Sequence, residues 1–423
     1  MRIVVVCPHF APDLAPTGEV MTAIALELAA RGHQLHLVTA LPWYRDHAIE
    51  PGWEGQAVRR ERTPWGVVTR VHPFPTDKTN IPARALGFGG FTGLSTLAAL
   101  VDREPADVVL AMSPPLTLGL AGWCVARARR VPFVFNIQDV FPDVAVEVGA
   151  ITNPGVIAAA SALERWIYRR SDAVTVLSED LADNVAAKIV RGVVGPRADD
   201  LRSRVKVIPN FVDTTHIQPS ERENSYRREF DLVGRQVVMY AGNVGFSQSL
   251  DLVIDAAVAL AADPEVAFVI HGGGAARESL QERAQGLPNV RFVPMQPKER
   301  LPEVLAAADV HVVPLRRGLA RSSVPSKLYS ILAAGRPVVA SVDPGTEVER
   351  TLGEAGAGVA VPPEDPVAFT AAVRSLLEDR GRAAAMGRAG RAFVEDWASP
   401  AAIAERYEQL FDEVRARRGR GRG

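Results

Sequence analysis

RSSVPSKLYSILAAGRPVV, residues 321–339, gathers the residue types that grip an anion. It follows VHVVPL, 310–315, which reads as a buried strand, and its own LYSILAA core reads as a short helix. Pro325 suits a first helical turn, where its missing N–H has no partner to lose. Ser323 is placed as the cap and Ser326 just inside it. The free N–H groups and positive end of such a helix attract negative charge. Lys327, Arg316, Arg317 and Arg321 crowd the same turn, although cations oppose the dipole there. Either a phosphate relieves that conflict or the turn is simply basic and solvated. Gly335 and Pro337 are ordinary stop signals.

Four more stretches have chemical potential. In PGTEV, 344–348, Gly345 permits close backbone approach, Thr346 can cap, and Glu347 either bonds a sugar hydroxyl or favours a helix dipole. HGGGAARE, 271–278, offers Gly272, Gly273 and Gly274 after a strand, but Arg277 fills the third glycine position of a dinucleotide fingerprint. In the first half, HFAPDLAPTGEV, 9–20, is a Pro-punctuated loop whose Gly18 opens a helix, and NIQDVFPDV, 136–144, puts Asp139 and Asp143 after a strand. Carboxylates at a strand end are either solvated or functional. PWYRDHAIEPGWEG, 42–55, concentrates Trp43, Tyr44, His47 and Trp53, rings that suit sugar or lipid contact or else pin a long loop.

The elements that must position these residues repeat from end to end. β-Branched runs alternate with amphipathic helical patterns, the signature of parallel sheets built from βαβ units. RIVVVCP, QLHLVTA, DVVLAMS, PFVFNIQD, AVTVLSE and RVKVIPN are the candidate strands of the first half; VVMYAGNV, VAFVIHGGG, VRFVPM, VHVVPL and PVVASV restart the pattern. QAVRRERTPWGVVTRVHPF interrupts it as a hairpin or edge pair. Residues 211–235 are polar and aperiodic, a linker candidate. Two α/β domains facing each other would leave a cleft, with binding loops beyond the strands' carboxyl ends.

Bulk properties narrow the function. At 423 residues two domains are expected, and 47% hydrophobic with 23% charged residues describe a soluble globular chain. A net charge of −1 gives no global field for nucleic acid. Cys7 and Cys124 suggest neither a disulfide framework nor a metal site, which favours a cytoplasmic setting. RIVVVCP is too short for a signal segment, and no charge-free apolar run reaches spanning length. LGFGGFTGLSTLAAL, 86–100, reads either as a core-facing helix or as one lying at a membrane surface. There is no Asp-x-Asp pair, zinc-protease motif, Walker loop or nucleophile elbow, so neither a metal nor a cofactor is expected.

In order, the Gly18 loop, Arg31-Gly32-His33, VIPNFVD at 207–213, YAGNVG at 240–245, HGGG and PSKLY…AAGRPVV resemble a retaining family 4 glycosyltransferase of the GT-B fold. The similarity covers nearly the whole chain and is closest to the fucosamine and colanic-acid sugar transferase branch. It implies two Rossmann-like parallel-sheet domains facing a central cleft, with a C-terminal helix returning to the first. The expected domains are 1–210 for the acceptor, a 211–235 linker, 236–395 for the nucleotide sugar, a 396–415 helix and a disordered basic tail, 416–423. The implied activity is metal-independent hexosyl transfer, with retention, from a nucleotide-diphosphate sugar to a sugar or polyprenyl-linked acceptor. Contact with the membrane's inner face is a further implication, and nucleic acid is no partner.

The resemblance also assigns residues. Asp139 and Lys327 are expected to be catalytic. Gly18, Asn243, Gln248, Gly272, Gly273, Arg321, Ser322, Ser323, Ser326, Ser330, Gly345, Thr346 and Glu347 are expected on the donor; His9, Trp43, Tyr44 and Asp143 on the acceptor. Family members place Arg and Lys where Asn243 and Gln248 stand, and a pair of glutamates where Ser322 and Ser330 stand. The missing cations must come from elsewhere, with Lys327, Arg321 and the helix start nearest. Two rival readings share the architecture: a nucleotide-sugar 2-epimerase and a non-catalytic sugar-binding protein.

Overall fold

The computed structural model describes residues 1–13, 15–45, 47–75, 81–102, 104–147, 151–245, 247–318 and 327–420. The chain forms two compact units, one made of Met1–Pro209 with the chain from Ile403 onward, the other of Asn210–Ala402.

The first unit is built on β1 (Arg2–Val6), β2 (Gln34–Ala40), β3 (Val58–Thr63), β4 (Gly66–Val71), β5 (Val108–Ser113), β6 (Phe133–Ile137), β7 (Ala173–Val176) and β8 (Val205–Val207). Their order is β3-β4-β2-β1-β5-β6-β7-β8, parallel throughout except for the β3–β4 edge hairpin. Ile3–Val6 and all of β5 are buried, as near-continuous apolar strands inside a parallel sheet must be. The order reverses between β1 and β5, which places a crevice beyond their carboxyl ends.

Helix Pro400–Arg420 completes this unit. Ile403, Tyr407, Leu410, Phe411 and Val414 are buried along one stripe. The amide of Asn136, on β6, donates to Tyr407 Oη at 2.9 Å and to Thr175 Oγ1 at 3.0 Å. Glu408 takes Arg31 and His33, so the Arg-Gly-His motif ends as a clasp for this helix. The expected disordered tail starts too early. Residues 416–420 are helical because Arg417 pairs with Glu413, and Arg418 reaches Asp172 and the Val131 carbonyl.

The second unit has β9 (Gln236–Ala241), β10 (Val266–His271), β11 (Val290–Val293), β12 (Val310–Pro314), β13 (Val338–Ser341) and β14 (Gly358–Val361). The order β11-β10-β9-β12-β13-β14, all parallel, is that of a dinucleotide-type sheet, with its reversal between β9 and β12. Residues 211–235, expected as a linker, belong to this unit. Val212, Ile217, Tyr226 and Leu232 enter its core, and fully buried Arg227 bonds Asp309, Glu223 and the Ala307 carbonyl. Charge buried in such a network has no periodicity to reveal it. Among the described residues no helix is long and apolar enough to cross a membrane.

Candidate active site

Beyond the carboxyl ends of β1, β2, β5 and β6 lies a cavity of about 470 Å³ walled by His9, Trp43, Tyr44, Phe74, Phe91 and Asp139. His9 arrives on the loop after β1. Its Nδ1 lies 2.6 Å from Asp13 Oδ2, and Asp13 Oδ1 accepts from the Tyr44 N–H at 3.0 Å. The imidazole stacks on Trp43 with centroids 5.7 Å apart and meets Tyr44 edge-on at 5.2 Å. Gly18, at the start of helix Pro16–Ala30, lies against this loop, and a Cβ there would stand 2.8 Å from His9 Cβ. The structure thus brings His9, Trp43, Tyr44 and Gly18 together. It adds Asp13, which the sequence reading passed over: a lone Asp in a Pro-rich loop carries no periodic signal.

Asp139 follows β6 on the cavity rim. Crowding by the surrounding chain raises its carboxyl, but the side chain is largely exposed, so water screens much of that effect. Asp143 is used differently. It opens helix Asp143–Glu147 away from the cavity wall and accepts from Lys188 Nζ at 2.7 Å and Asn184 Nδ2 at 3.1 Å. Lys188 also reaches buried Glu164 at 2.9 Å, whose other partner is the Tyr168 hydroxyl. That network satisfies the Asp143 carboxylate locally.

In the second unit the relevant residues rim the carboxyl edge of the sheet. Lys327 is the first residue of helix Lys327–Ala333. Its Nζ donates to Tyr240 Oη at 2.8 Å and Gln248 Oε1 at 3.3 Å, and lies 4.4 Å from the Tyr240 ring centroid. The Tyr240 hydroxyl donates onward to the Asn243 carbonyl at 2.5 Å, so its oxygen is free to accept from Lys327. Burial brings the Lys327 ammonium down to about 8, and among the described residues no carboxylate pairs with it. Gln248 and Lys327 therefore meet, as the missing family cation suggested. Tyr240 was hidden from sequence reasoning, since an aromatic in a strand reads as core.

Gly272 and Gly274 have φ of +132° and +153°, and a Cβ on either would meet the Gly242 or Val244 carbonyl oxygen at 1.9 or 2.3 Å. These two glycines let the loops after β9 and β10 close on each other. Gly273 has nothing within 4 Å of an added Cβ and is the open position. At the end of β10, His271 is buried against the Tyr226 hydroxyl at 3.0 Å, and burial, then Arg277 and Arg300, bring its imidazole down to about 4. After β13, Thr346 is fully buried and donates to the Asp343 carbonyl, Gly345 turns with φ of +73°, and Glu347 pairs with Arg350 at 3.0 Å. Ser330 is half-buried one turn along from Lys327. Arg321, Ser322, Ser323 and Ser326 lie outside the described residues.

Comparison with known proteins agrees with both halves. The family described as "Glycosyl transferase 4-like domain" matches residues 17–197, and that described as "Glycosyl transferases group 1" matches residues 235–379. The chain belongs to the family 4 glycosyltransferases and has their GT-B architecture of two Rossmann-like units. It is 28% identical over 387 residues, 89% of this chain and 92% of the relative, to the Escherichia coli protein named "Putative colanic acid biosynthesis glycosyl transferase WcaI". It is 33% identical over 246 residues, 56% of this chain and 61% of the relative, to a GDP-mannose-dependent phosphatidylinositol monomannoside mannosyltransferase of Mycolicibacterium smegmatis. The fold matches Anabaena HepE, solved with UDP, at a TM-score of 0.64 and 16% identity, covering 98% of this chain and 100% of that one. The protein is a glycosyltransferase.

Proposed function

We propose that this glycosyltransferase moves a sugar from a nucleotide-diphosphate sugar, held by the second unit, to a hydroxyl of a lipid-linked acceptor held by the first, in cell-envelope polysaccharide or glycolipid assembly. The observation that carries this is Lys327, a desolvated ammonium with two neutral oxygen partners and, among the described residues, no carboxylate, at the strand ends where an open parallel sheet takes its ligand. A buried cation without a counter-ion is unfavourable until an anion arrives. The diphosphate of a nucleotide sugar is such an anion, and HepE holds UDP on the same fold. The GDP-mannose user and the colanic acid enzyme support a nucleotide-sugar donor and an envelope product.

Front-face substitution with retention fits the family resemblance. Negative charge grows on the leaving phosphate, where Lys327 and backbone N–H groups would stabilise it, and the open Gly273 leaves room for the donor. Asp139 would face the acceptor. A lipid-linked acceptor is supported by helix Ile81–Val101. Gly87, Phe88 and Phe91 line the cavity, while Leu86, Leu97, Leu100 and Val101 are exposed on the other face with Gly89 and Gly93 between them. An outward apolar stripe on a helix whose other face lines the cavity suits a membrane surface that delivers an amphiphile.

A thermal-shift panel of UDP, GDP and other nucleoside diphosphates tests the donor site. One of them should stabilise the fold by about 2.7 kcal/mol at a hundred times its Kd. Lys327→Ala should keep the fold, lose most of that shift and transfer sugar roughly a hundredfold more slowly. No stabilisation by any nucleotide, or undiminished transfer by the variant, overturns the reading.

A further inference from the structure

The cavity of the first unit contains an arrangement for which the donor chemistry has no use. We infer that His9 and Asp13 act as a dyad that receives the acceptor's hydroxyl, with His9 touching the ligand and Asp13 as its positioning residue; this rests on the reading of the cavity as the acceptor site.

Both oxygens of Asp13 are committed, Oδ1 to the Tyr44 N–H at 3.0 Å and Oδ2 to His9 Nδ1 at 2.6 Å, and the side chain is fully buried. A carboxylate only accepts, so Nδ1 carries a ring proton, and whenever the imidazole is neutral Nε2 is left with a bare lone pair. His9 lines the cavity, and among the described residues no partner takes Nε2. The ring cannot turn away. Trp43 stacks on it, Tyr44 meets its edge, and Gly18 lies against its Cβ. A hydrogen-bond acceptor is thereby fixed on the wall of a largely apolar cavity.

The walls define the ligand class. His9, Tyr44 and Asp139 bring polar groups to the lining, and Phe74, Phe88 and Phe91 bring apolar rings. An amphiphile fits, its hydroxylated head at His9 and its hydrocarbon along the phenylalanines. Binding is selective for a donor group at the head: a hydroxyl gives Nε2 its hydrogen bond, whereas a group that only accepts leaves Nε2 unpaired and desolvated.

Two substitutions separate positioning from packing. In Asp13→Asn one amide oxygen must still serve the Tyr44 N–H, so the NH2 faces Nδ1 and drives the ring proton to Nε2, which then donates instead of accepting. In His9→Asn the amide N–H can still donate to Asp13, but no atom remains at the Nε2 position. Octyl glucoside is the probe, its binding followed by calorimetry and by NMR of the imidazole nitrogens. The unaltered protein should show Nδ1 protonated and a shift at Nε2 on titration. His9→Asn should bind the probe about tenfold to a hundredfold more weakly. Asp13→Asn should keep most of the binding, since a hydroxyl also accepts from Nε2–H, while the ring proton seen by NMR moves to Nε2. Both should melt near the parent. Equal binding by His9→Asn and the parent, or no binding by the parent, overturns the proposal. A parallel UDP and GDP titration keeps the two readings apart, since its failure would count against the donor site alone.

Discussion

An ammonium that exchanges water for one phenol and one amide oxygen recovers less solvation than it gave up, and Lys327 titrates near 8 for that reason. In the unfolded chain the same group titrates near about 10.4. Between those values the unfolded state holds more of the proton, so stability from this group rises with pH across the window. Below about 8 the cost of the buried charge is present in full. Lys327→Met should flatten that slope, which urea midpoints measured from about pH 7 to about pH 10 would show. A midpoint profile identical in both proteins would count against a desolvated Lys327. Its place beside Gln248 was approached in the sequence through a cation set where a helix dipole disfavours one. Tyr240 and Asp13 were not legible, because their roles come from strands and loops meeting in space.

Glycines legible as one motif divide by element into two duties. Gly272 and Gly274 sit where the loop leaving β10 crosses the loop leaving β9, with Gly242 N donating to the His271 carbonyl at 2.9 Å and Val244 N to that of Gly273 at 2.8 Å. Gly272→Ala puts a methyl 1.9 Å from a carbonyl oxygen at a φ of +132°, and should destabilise the second unit by about 3 kcal/mol or more. Gly273→Ala meets nothing, so it should melt like the parent while weakening nucleotide binding. Thermal midpoints with and without nucleotide distinguish the two, and equal destabilisation by both would reject the division. Strand runs were readable from their β-branched residues. The sheet orders were not, nor was the membership of residues 211–235, since pairing partners and buried ion pairs leave no local pattern.

Two parallel-sheet units were legible across the chain. The return of the closing helix to the first, which makes that unit discontinuous, was implied by the family resemblance, although no local pattern shows which residues it meets. Ile403, Tyr407, Leu410, Phe411 and Val414 carry the first unit's last buried stripe, and Asn136 and Thr175 find Tyr407 only there. Losing each such side chain costs about 2–5 kcal/mol, against a typical total of about 5–15 kcal/mol. A chain ending at Ala402 should therefore lose the cooperative unfolding of the first unit and keep that of the second. Calorimetry would register it as one missing transition, and two intact transitions would refute it.

That discontinuity also sets an order of birth. Domains usually fold as they leave the ribosome, amino-terminal first. Here the second unit, Asn210–Ala402, is complete in the nascent chain before the helix from Ile403 that finishes the first. The half of the enzyme translated first is the half that must wait, with Asn136 and Thr175 lacking their tyrosine until the final turns emerge.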